Sequence, residues 1–262
     1  MTPYYERGGI TIYCGDCLEV MPQLEPDFDA IITDLPYGAT QNEWDSVIPF
    51  EPMWKEVKRL LKPSGAFVTT ASQPFASALV MSNLKWFKWE DILDKKQPVG
   101  FLNAKIMPLR RHENILIFGD GKITYNPQMT KGRFRNKGKH SSQSDCYGQY
   151  ENLDNFNDDY YPTSILEFHN ADQLNKKHPN QKPLKLYQYL IRTYTNPGEL
   201  ILDNTMGSGT TLVAAQTEGR RAVGIELSED YCKIAVERLR QPSFFSIPEN
   251  GNGARHEQLE LA

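Results

Sequence analysis

The chain has 262 residues, 39% of them hydrophobic, and a formal net charge of −4. That length suits one large α/β domain with an insertion, or two small domains, and a protein basic all over is excluded. No run of about eighteen apolar residues and no apolar signal-peptide stretch is found, so neither a membrane-spanning helix nor a secretory leader is expected.

The four cysteines, Cys14, Cys17, Cys146 and Cys232, are sparse and scattered, which fits a reducing cytoplasm. Cys14-Gly15-Asp16-Cys17 is formally a C-x-x-C, but it has no second close pair and no histidine cluster, so no metal site is expected.

Residues 9–14, Gly-Ile-Thr-Ile-Tyr-Cys, alternate as a strand does, and residues 15–20 turn away from it. Asp16 therefore sits past a strand's C-terminal end, where a helix N-cap and a ligand contact are equally good readings. Residues 28–33 form the next strand, which stops at Asp34-Leu35-Pro36-Tyr37-Gly38. This is a carboxylate, a backbone stiffened by proline, an aromatic ring and a glycine open to unusual φ. At the end of an α/β strand such a group suits holding a planar base while acceptors pin its exocyclic amine. In isolation, a strand-to-loop turn with a packed tyrosine is the better explanation of it.

Residues 50–61 carry apolar positions at helical spacing, stopped by Lys62-Pro63-Ser64-Gly65. Residues 66–70 read as a strand, 73–83 as a helix, 86–93 as a strand, and 115–118 as a short apolar strand closed by Gly119-Asp120-Gly121. Strands separated by helices predict a doubly wound, mostly parallel sheet.

Residues 120–175 lose this periodicity and predict an irregular insertion. Between positions 105 and 139 stand nine basic residues (Lys105, Arg110, Arg111, Lys122, Lys131, Arg133, Arg135, Lys137 and Lys139) against two acidic ones, Glu113 and Asp120. A basic, aromatic-sprinkled, irregular segment suits contact with nucleic acid, and a solvated loop with incidental charge is the alternative. The acidic run at 154–159 reads as a solvated turn rather than a metal site.

Residues 183–195 form an amphipathic helix introduced by His178-Pro179-Asn180-Gln181-Lys182. Residues 199–203 are a strand, 210–217 a helix, 221–226 the last clear strand, and a helix ends near Arg240; residues 242–262 are polar and predict a frayed tail. A strand, then Asp203-x-x-x-Gly207-x-Gly209, then a helix and a strand ending in Glu226, is a cofactor βαβ unit. The glycines let a ligand approach the backbone, and Glu226, 19 residues after Gly207, can accept from both ribose hydroxyls. Asp203 would repel a pyrophosphate but attract a sulfonium amino acid, which favours S-adenosylmethionine over a dinucleotide.

Asp34-Leu35-Pro36-Tyr37 resembles the D-P-P-Y motif of amino-group DNA methyltransferases, and residues 203–211, Asp-Asn-Thr-Met-Gly-Ser-Gly-Thr-Thr, resemble their cofactor motif. Gly15-Asp16-Cys17-Leu18 and His178-Pro179-x-x-Lys182-Pro183 are similar to two further family segments. The motif order resembles the β class. The resemblance implies a circularly permuted, Rossmann-like doubly wound sheet. It divides the chain into a catalytic half (1–119), a target-recognition insertion (120–175), a cofactor half (176–241) and a tail (242–262). It implies S-adenosylmethionine at Asp16, Asp34, Lys182, Asp203, Gly207, Ser208, Gly209, Thr210 and Glu226. It implies catalysis by Asp34, Leu35, Pro36 and Tyr37, with Asp34 and the Leu35 carbonyl accepting from the amine of a flipped base and Tyr37 stacking on it. Double-stranded DNA is the implied partner, with Arg110, Arg111, Lys131, Arg133, Arg135 and Lys137 contacting it. A homodimer and a bacterial or phage-infected cytoplasm follow from the same resemblance. Aspartate at the first motif position favours adenine N6, with cytosine N4 and a non-catalytic DNA-binding protein as alternatives. Leu35 stands where the family usually has proline, and Asn204-Thr205 replace Pro-Phe. No cysteine follows a proline, which disfavours cytosine-C5 chemistry.

Overall fold

The structure is a computed structural model that describes residues 1–38, 45–137, 140–144, 148–152, 155–168 and 182–241, with the backbone alone described within 137–155. In chain order the elements are β1 (Tyr5–Arg7), β2 (Ile10–Cys14), α1 (Cys17–Val20), β3 (Phe28–Thr33), α2 (Phe50–Leu60), β4 (Leu61–Ala71), α3 (Phe75–Ser82), β5 (Phe87–Val99) and β6 (Arg110–Phe118). There follow β7 (Thr130–Lys137), β8 (His140–Ser144), β9 (Gly148–Asn152), β10 (Asn155–Tyr160), β11 (Ile165–Glu167), α4 (Leu184–Tyr194), β12 (Leu200–Asp203), α5 (Thr210–Thr217), β13 (Arg221–Glu226) and α6 (Glu229–Arg240).

Nine strands form one sheet in the order β1-β2-β13-β12-β3-β4-β6-β5-β11. Only β1 and β6 run against the others, so the sheet is mostly parallel as expected. Successive strand residues face opposite sides, and the sequence exploits this. Ile31, Phe67 and Leu202 pack under α2 and α3 with Met53, Trp54, Val57, Leu60 and Phe75. Their neighbours Ile32, Val68 and Ile201 pack on the other face with Leu186, Leu190 and Ile191 of α4 and with α5 and α6. The i, i+3, i+4 spacing of Met53, Trp54, Val57 and Leu60 is what turns α2 onto the sheet. Burying each such side chain contributes about 1.5–3 kcal/mol.

β12 pairs with β13 on one side and β3 on the other, and the connections leave in opposite directions there. This is a topological switch point, and ligands of open α/β sheets bind in the crevice beyond the strand ends at such a point. The cofactor unit lies late in the chain and the Asp34 strand early, so the expected permuted order is met.

The insertion differs from its expected irregularity. β7 pairs with β10 and β8 with β9, both antiparallel, and Lys137↔Asn155 and His140↔Asn152 belong to one register. The ribbon's residues are mostly polar, so no alternation of apolar residues marks it in the sequence. β11 then returns to the central sheet beside β5, inside the stretch read as insertion. The acidic run contributes Asp158 and Asp159 to ion pairs with Lys131, at 2.7 and 2.8 Å. Residues His178 and Pro179, Cys146, Asp154 and the 242–262 tail lie outside the described residues. Among the described residues no helix is long and apolar enough to cross a membrane, and no cluster of metal-ligating side chains occurs.

Candidate active site

The C-terminal ends of β2, β13, β12 and β3 open on one cavity of about 700 Å³. Asp16, Asp34, Asp203, Asn204, Gly207 and Glu226 all line it.

Two strand ends are tied together first. Thr33 Oγ1 donates to Asp203 Oδ1 at 2.9 Å and lies 2.6 Å from Thr205 Oγ1; Thr205 Oγ1 in turn donates to the Asp34 carbonyl at 3.1 Å. These links fix the Asp34 loop against the glycine turn. Burial pushes the Asp203 carboxyl up to about 7, against the hydrogen bonds from Thr211, Thr33 and the Thr205 amide that favour the anion.

The glycine turn is held by Glu226, whose Oε2 accepts from the Gly207 amide at 2.9 Å and whose Oε1 accepts from the Ser228 amide at 2.8 Å. Burial raises its carboxyl, and those amides pull it back. Gly207 has φ +51°, and a Cβ there would meet nothing within 4 Å, so its bare backbone faces open space. Gly209 has φ +75°, and a Cβ would lie 2.7 Å from Ala235 Cβ, so that glycine serves helix packing. Ser208 and Thr210 do not point their hydroxyls freely at the cavity. Arg238 of α6 donates to both, at 2.9 Å each, and to the Ser208 carbonyl at 2.6 Å. Asp16 makes the N-cap bond, accepting from the Leu18 amide at 2.8 Å, while lining the cavity. Both earlier readings of it therefore remain compatible.

Asn204 is 1% exposed and lines the cavity, yet neither atom of its amide makes a hydrogen bond of good geometry, the weak Cys17 thiol being its neighbour. A buried amide in that condition calls for a ligand. With the open Gly207 backbone and the acids at three strand ends, the residues fit a nucleoside carrying a cationic amino-acid arm.

The Asp34 end carries a charge network. Asp34 Oδ1 accepts from Tyr37 OH at 2.7 Å and, through a shorter bond, from Thr70 Oγ1; Oδ2 pairs with Lys182 Nζ at 2.7 Å. Lys182 Nζ also lies 3.1 Å from Glu113 Oε2, and Lys95 Nζ lies 2.9 Å from Glu113 Oε1. Burial opposes the Lys182 charge, but Asp34 and Glu113 outweigh it and hold the ammonium above its ordinary range. Burial likewise opposes the Glu113 anion, and Lys182 and Lys95 hold its carboxyl below the usual value. Burial, reinforced by the Asp34 charge, keeps the Tyr37 phenol well above its usual range, so it remains a donor. The Tyr37 ring stacks on Phe75 at 5.3 Å, and Lys182 Nζ sits 5.5 Å from its centroid. Leu35 turns its side chain into the core at 3% exposure, and Pro36 lines the cavity.

Lys182, expected at the cofactor together with Asp34, pairs with that carboxylate and lines the same cavity. Thr70, Glu113, Lys95 and Arg238 were not singled out for the site, because nothing local marks them. Of the basic residues expected at DNA, Arg110 lines the cavity. Arg111 is forked onto Asp94 at 2.7 and 2.6 Å. Lys131 is paired within the ribbon, and Arg135 bonds Asn157 at 3.0 Å with its guanidinium 4.2 Å from the Tyr160 ring centroid. Arg133 is exposed, and Lys137 is described by its backbone pairing alone.

The family described as DNA methylase, N6_N4_Mtase, matches residues 28–237. The Type II methyltransferase M.HpaI of Haemophilus parainfluenzae is 27% identical over 251 residues, covering 87% of this chain and 73% of that protein. The crystal structure of an M1.HpyAVI–SAM complex superposes with a TM-score of 0.61 at 25% identity, covering 88% of this chain and all of the other. The cytosine-N4-specific PvuII DNA methyltransferase shares the fold, with a TM-score of 0.67 at 17% identity, covering 95% of this chain and 90% of that one.

Proposed function

The chain belongs to the N6/N4 DNA methylase family, and from that premise we propose that it transfers a methyl group from S-adenosylmethionine to the exocyclic N6 of an adenine flipped out of duplex DNA. The observation that carries the reading is the acceptor carboxylate of Asp34, set in the same cavity as the Gly207–Glu226 turn. S-adenosylmethionine is the family's methyl donor, and it supplies an electrophilic methyl on a sulfonium. In the binding mode proposed, Glu226 takes the ribose, Asp203 the ammonium arm, and Asp16 and Asn204 the remaining polar edge.

The chain's own residues then act on the amine. An aromatic amine is a poor nucleophile because its lone pair is delocalised into the ring. Asp34 and the Leu35 carbonyl each accept one N–H and draw the nitrogen toward a tetrahedral state, stabilising the positive charge that develops there. Tyr37 and Thr70 fix Oδ1, leaving Oδ2 to face the amine once Lys182 shifts its ammonium toward Glu113. The base stacks on the Tyr37 face that Phe75 leaves open, a contact worth about 1–3 kcal/mol. The β7–β10 ribbon, within the proposed insertion at 120–175, is the proposed reader of the duplex, with Arg133 on its exposed surface.

The test is to incubate unmethylated DNA with the protein and S-adenosylmethionine, digest it, and identify the modified nucleoside by mass spectrometry. N6-methyladenine is expected; N4-methylcytosine would correct the target base, and no methylated nucleoside would refute the reading.

A further inference from the structure

Six large apolar side chains, Val99, Phe101, Leu102, Ile106, Met107 and Leu109, crowd the turn between β5 and β6 and face solvent. Phe101, Leu102 and Ile106 are 78%, 82% and 83% exposed, the highest values of any large hydrophobic side chain among the described residues. Apolar surface gathered this densely marks a surface that meets a partner.

The turn is ordered. Gly100 takes φ +90° and starts a short 3₁₀ turn, Phe101–Asn103. The Asn103 amide donates to the Gly100 carbonyl at 2.9 Å, and the Ile106 and Met107 amides donate to the Asn103 carbonyl at 2.9 and 3.0 Å. Behind it, the Arg111–Asp94 fork braces β5 against β6, and a 2.5 Å Lys96–Glu167 ion pair ties β5 to β11. The apolar residues are therefore held out by a braced hairpin.

Its position is informative. β5 runs parallel to β4, so its end lies on the edge of the sheet that bears Asp34. Val99 and Arg110 are register partners at the base of the turn, and both line the cavity that Asp34 lines. Arg110 is three residues from Glu113, which pairs with Lys182 and through it reaches Asp34; at strand rise the three residues span about 10 Å. Lys105 within the turn and Arg110 at its base supply positive charge beside the apolar tip, Arg111 being paired with Asp94.

We propose that the turn spanning residues 100–109 is a wedge that enters the duplex at the step vacated by the target base, with Phe101, Leu102 and Ile106 filling the hole. This rests on the reading that the substrate is a flipped base in duplex DNA. Flipping leaves an apolar gap between stacked neighbours, flanked on both sides by phosphates. An apolar tip rimmed by cations complements that gap, as apolar wedges do when they enter a base step. A second copy of the chain would not call for the cationic rim.

A duplex with a single abasic site carries the hole already, whatever its sequence. The full-length protein is expected to bind it at least about fivefold more tightly than the intact duplex, the low end of one stacking contact. The Phe101→Ser/Leu102→Ser/Ile106→Ser variant is expected to bind both duplexes equally while keeping its thermal midpoint and its affinity for S-adenosylmethionine. Should that variant lose its thermal midpoint, Leu102→Ser alone carries the same comparison. Equal binding by the wild type, or an undiminished preference in the variant, overturns the wedge. So does a variant that passes from dimer to monomer in sedimentation with its preference intact, because the face is then a contact between copies. Methyl transfer is measured separately. A wild type that prefers the abasic duplex but transfers no methyl sinks the catalytic reading and leaves the wedge standing.

Discussion

Lys182 Nζ lies 2.7 Å from Asp34 Oδ2, joining positions 148 residues apart in an ion pair within the active cavity. Breaking a buried pair from one side leaves an uncompensated charge and typically costs about 3–5 kcal/mol. In Lys182→Ala, Asp34 and Glu113 face each other without their shared cation. Urea denaturation is expected to show a loss of about 3 kcal/mol, and Glu113→Gln in the same chain to recover part of it. Methyl transfer is expected to fall at least about tenfold while S-adenosylmethionine affinity stays within about threefold. A larger loss of cofactor affinity than of kcat would return Lys182 to the cofactor side.

Asp34→Ala removes the carboxylate acceptor and leaves Gly207, Glu226 and Asp203 in place. Loss of one preorganised group of this kind costs about 10²–10³ in kcat. A tritiated-methyl assay is expected to show at least that loss, and calorimetry to show cofactor binding retained. Normal turnover would refute the acceptor role.

Asp203 gives a pH dependence of definite sign. Burial raises its folded-state carboxyl to about 7, above the ordinary value of about 3.9 for an unfolded chain. The folded protein therefore keeps a proton that the unfolded chain has released. This group's contribution to stability is complete below about pH 4 and is lost as pH rises to about 7. A cationic ligand needs the anion, so S-adenosylmethionine affinity is expected to climb as pH rises toward about 7, by up to about tenfold per unit, and to level off above it. Titration calorimetry in two buffers of different ionisation heat would detect the released proton near pH 6, and Asp203→Asn is expected to flatten the profile.

Gly209→Ala forces a side chain into a left-handed backbone and places its Cβ 2.7 Å from Ala235 Cβ, between α5 and α6. Left-handed strain costs about 1–2 kcal/mol and overpacking about 1–3 kcal/mol, so a loss of about 2–5 kcal/mol is expected in urea or thermal melts. An unchanged midpoint would show that the helices can part at no cost.

Thr130 and Tyr160 are register partners, so the two ends of the ribbon meet. Replacing the intervening residues with a short glycine-serine turn is expected to leave folding and cofactor binding intact and to abolish methylation of duplex DNA. Retained site-specific methylation, read by single-molecule sequencing, would remove the ribbon from target recognition.

Much of the site was legible in the chain because its parts are local. A strand, an acid and a turn stand consecutively at Asp34, at Asp203 and at Glu226, and alternating burial along the strands is a short-range pattern. The same locality marked the glycines of the turn, and the fold separated the open Gly207 from Gly209, which packs against Ala235. Leu35 shows the limit: the chain places it beside Asp34, but its core-directed side chain is visible only in the fold. The ribbon escaped notice because its residues are mostly polar and carry no period-two alternation of apolar side chains.

The sequence by itself determined the α/β class, the order of the two half-sites and the residue types that can accept from an amine or hold a cationic cofactor. All of these follow from neighbours along the chain. The tertiary structure alone decided which side chains complete those groups. Thr70 reaches Asp34 because β4 lies beside β3, Glu113 and Lys95 meet because β5 and β6 are antiparallel, and Arg238 holds Ser208 because α6 packs against α5. Such contacts depend on strand order and register, which arise from burial across the whole sheet, and no stretch of sequence carries them alone.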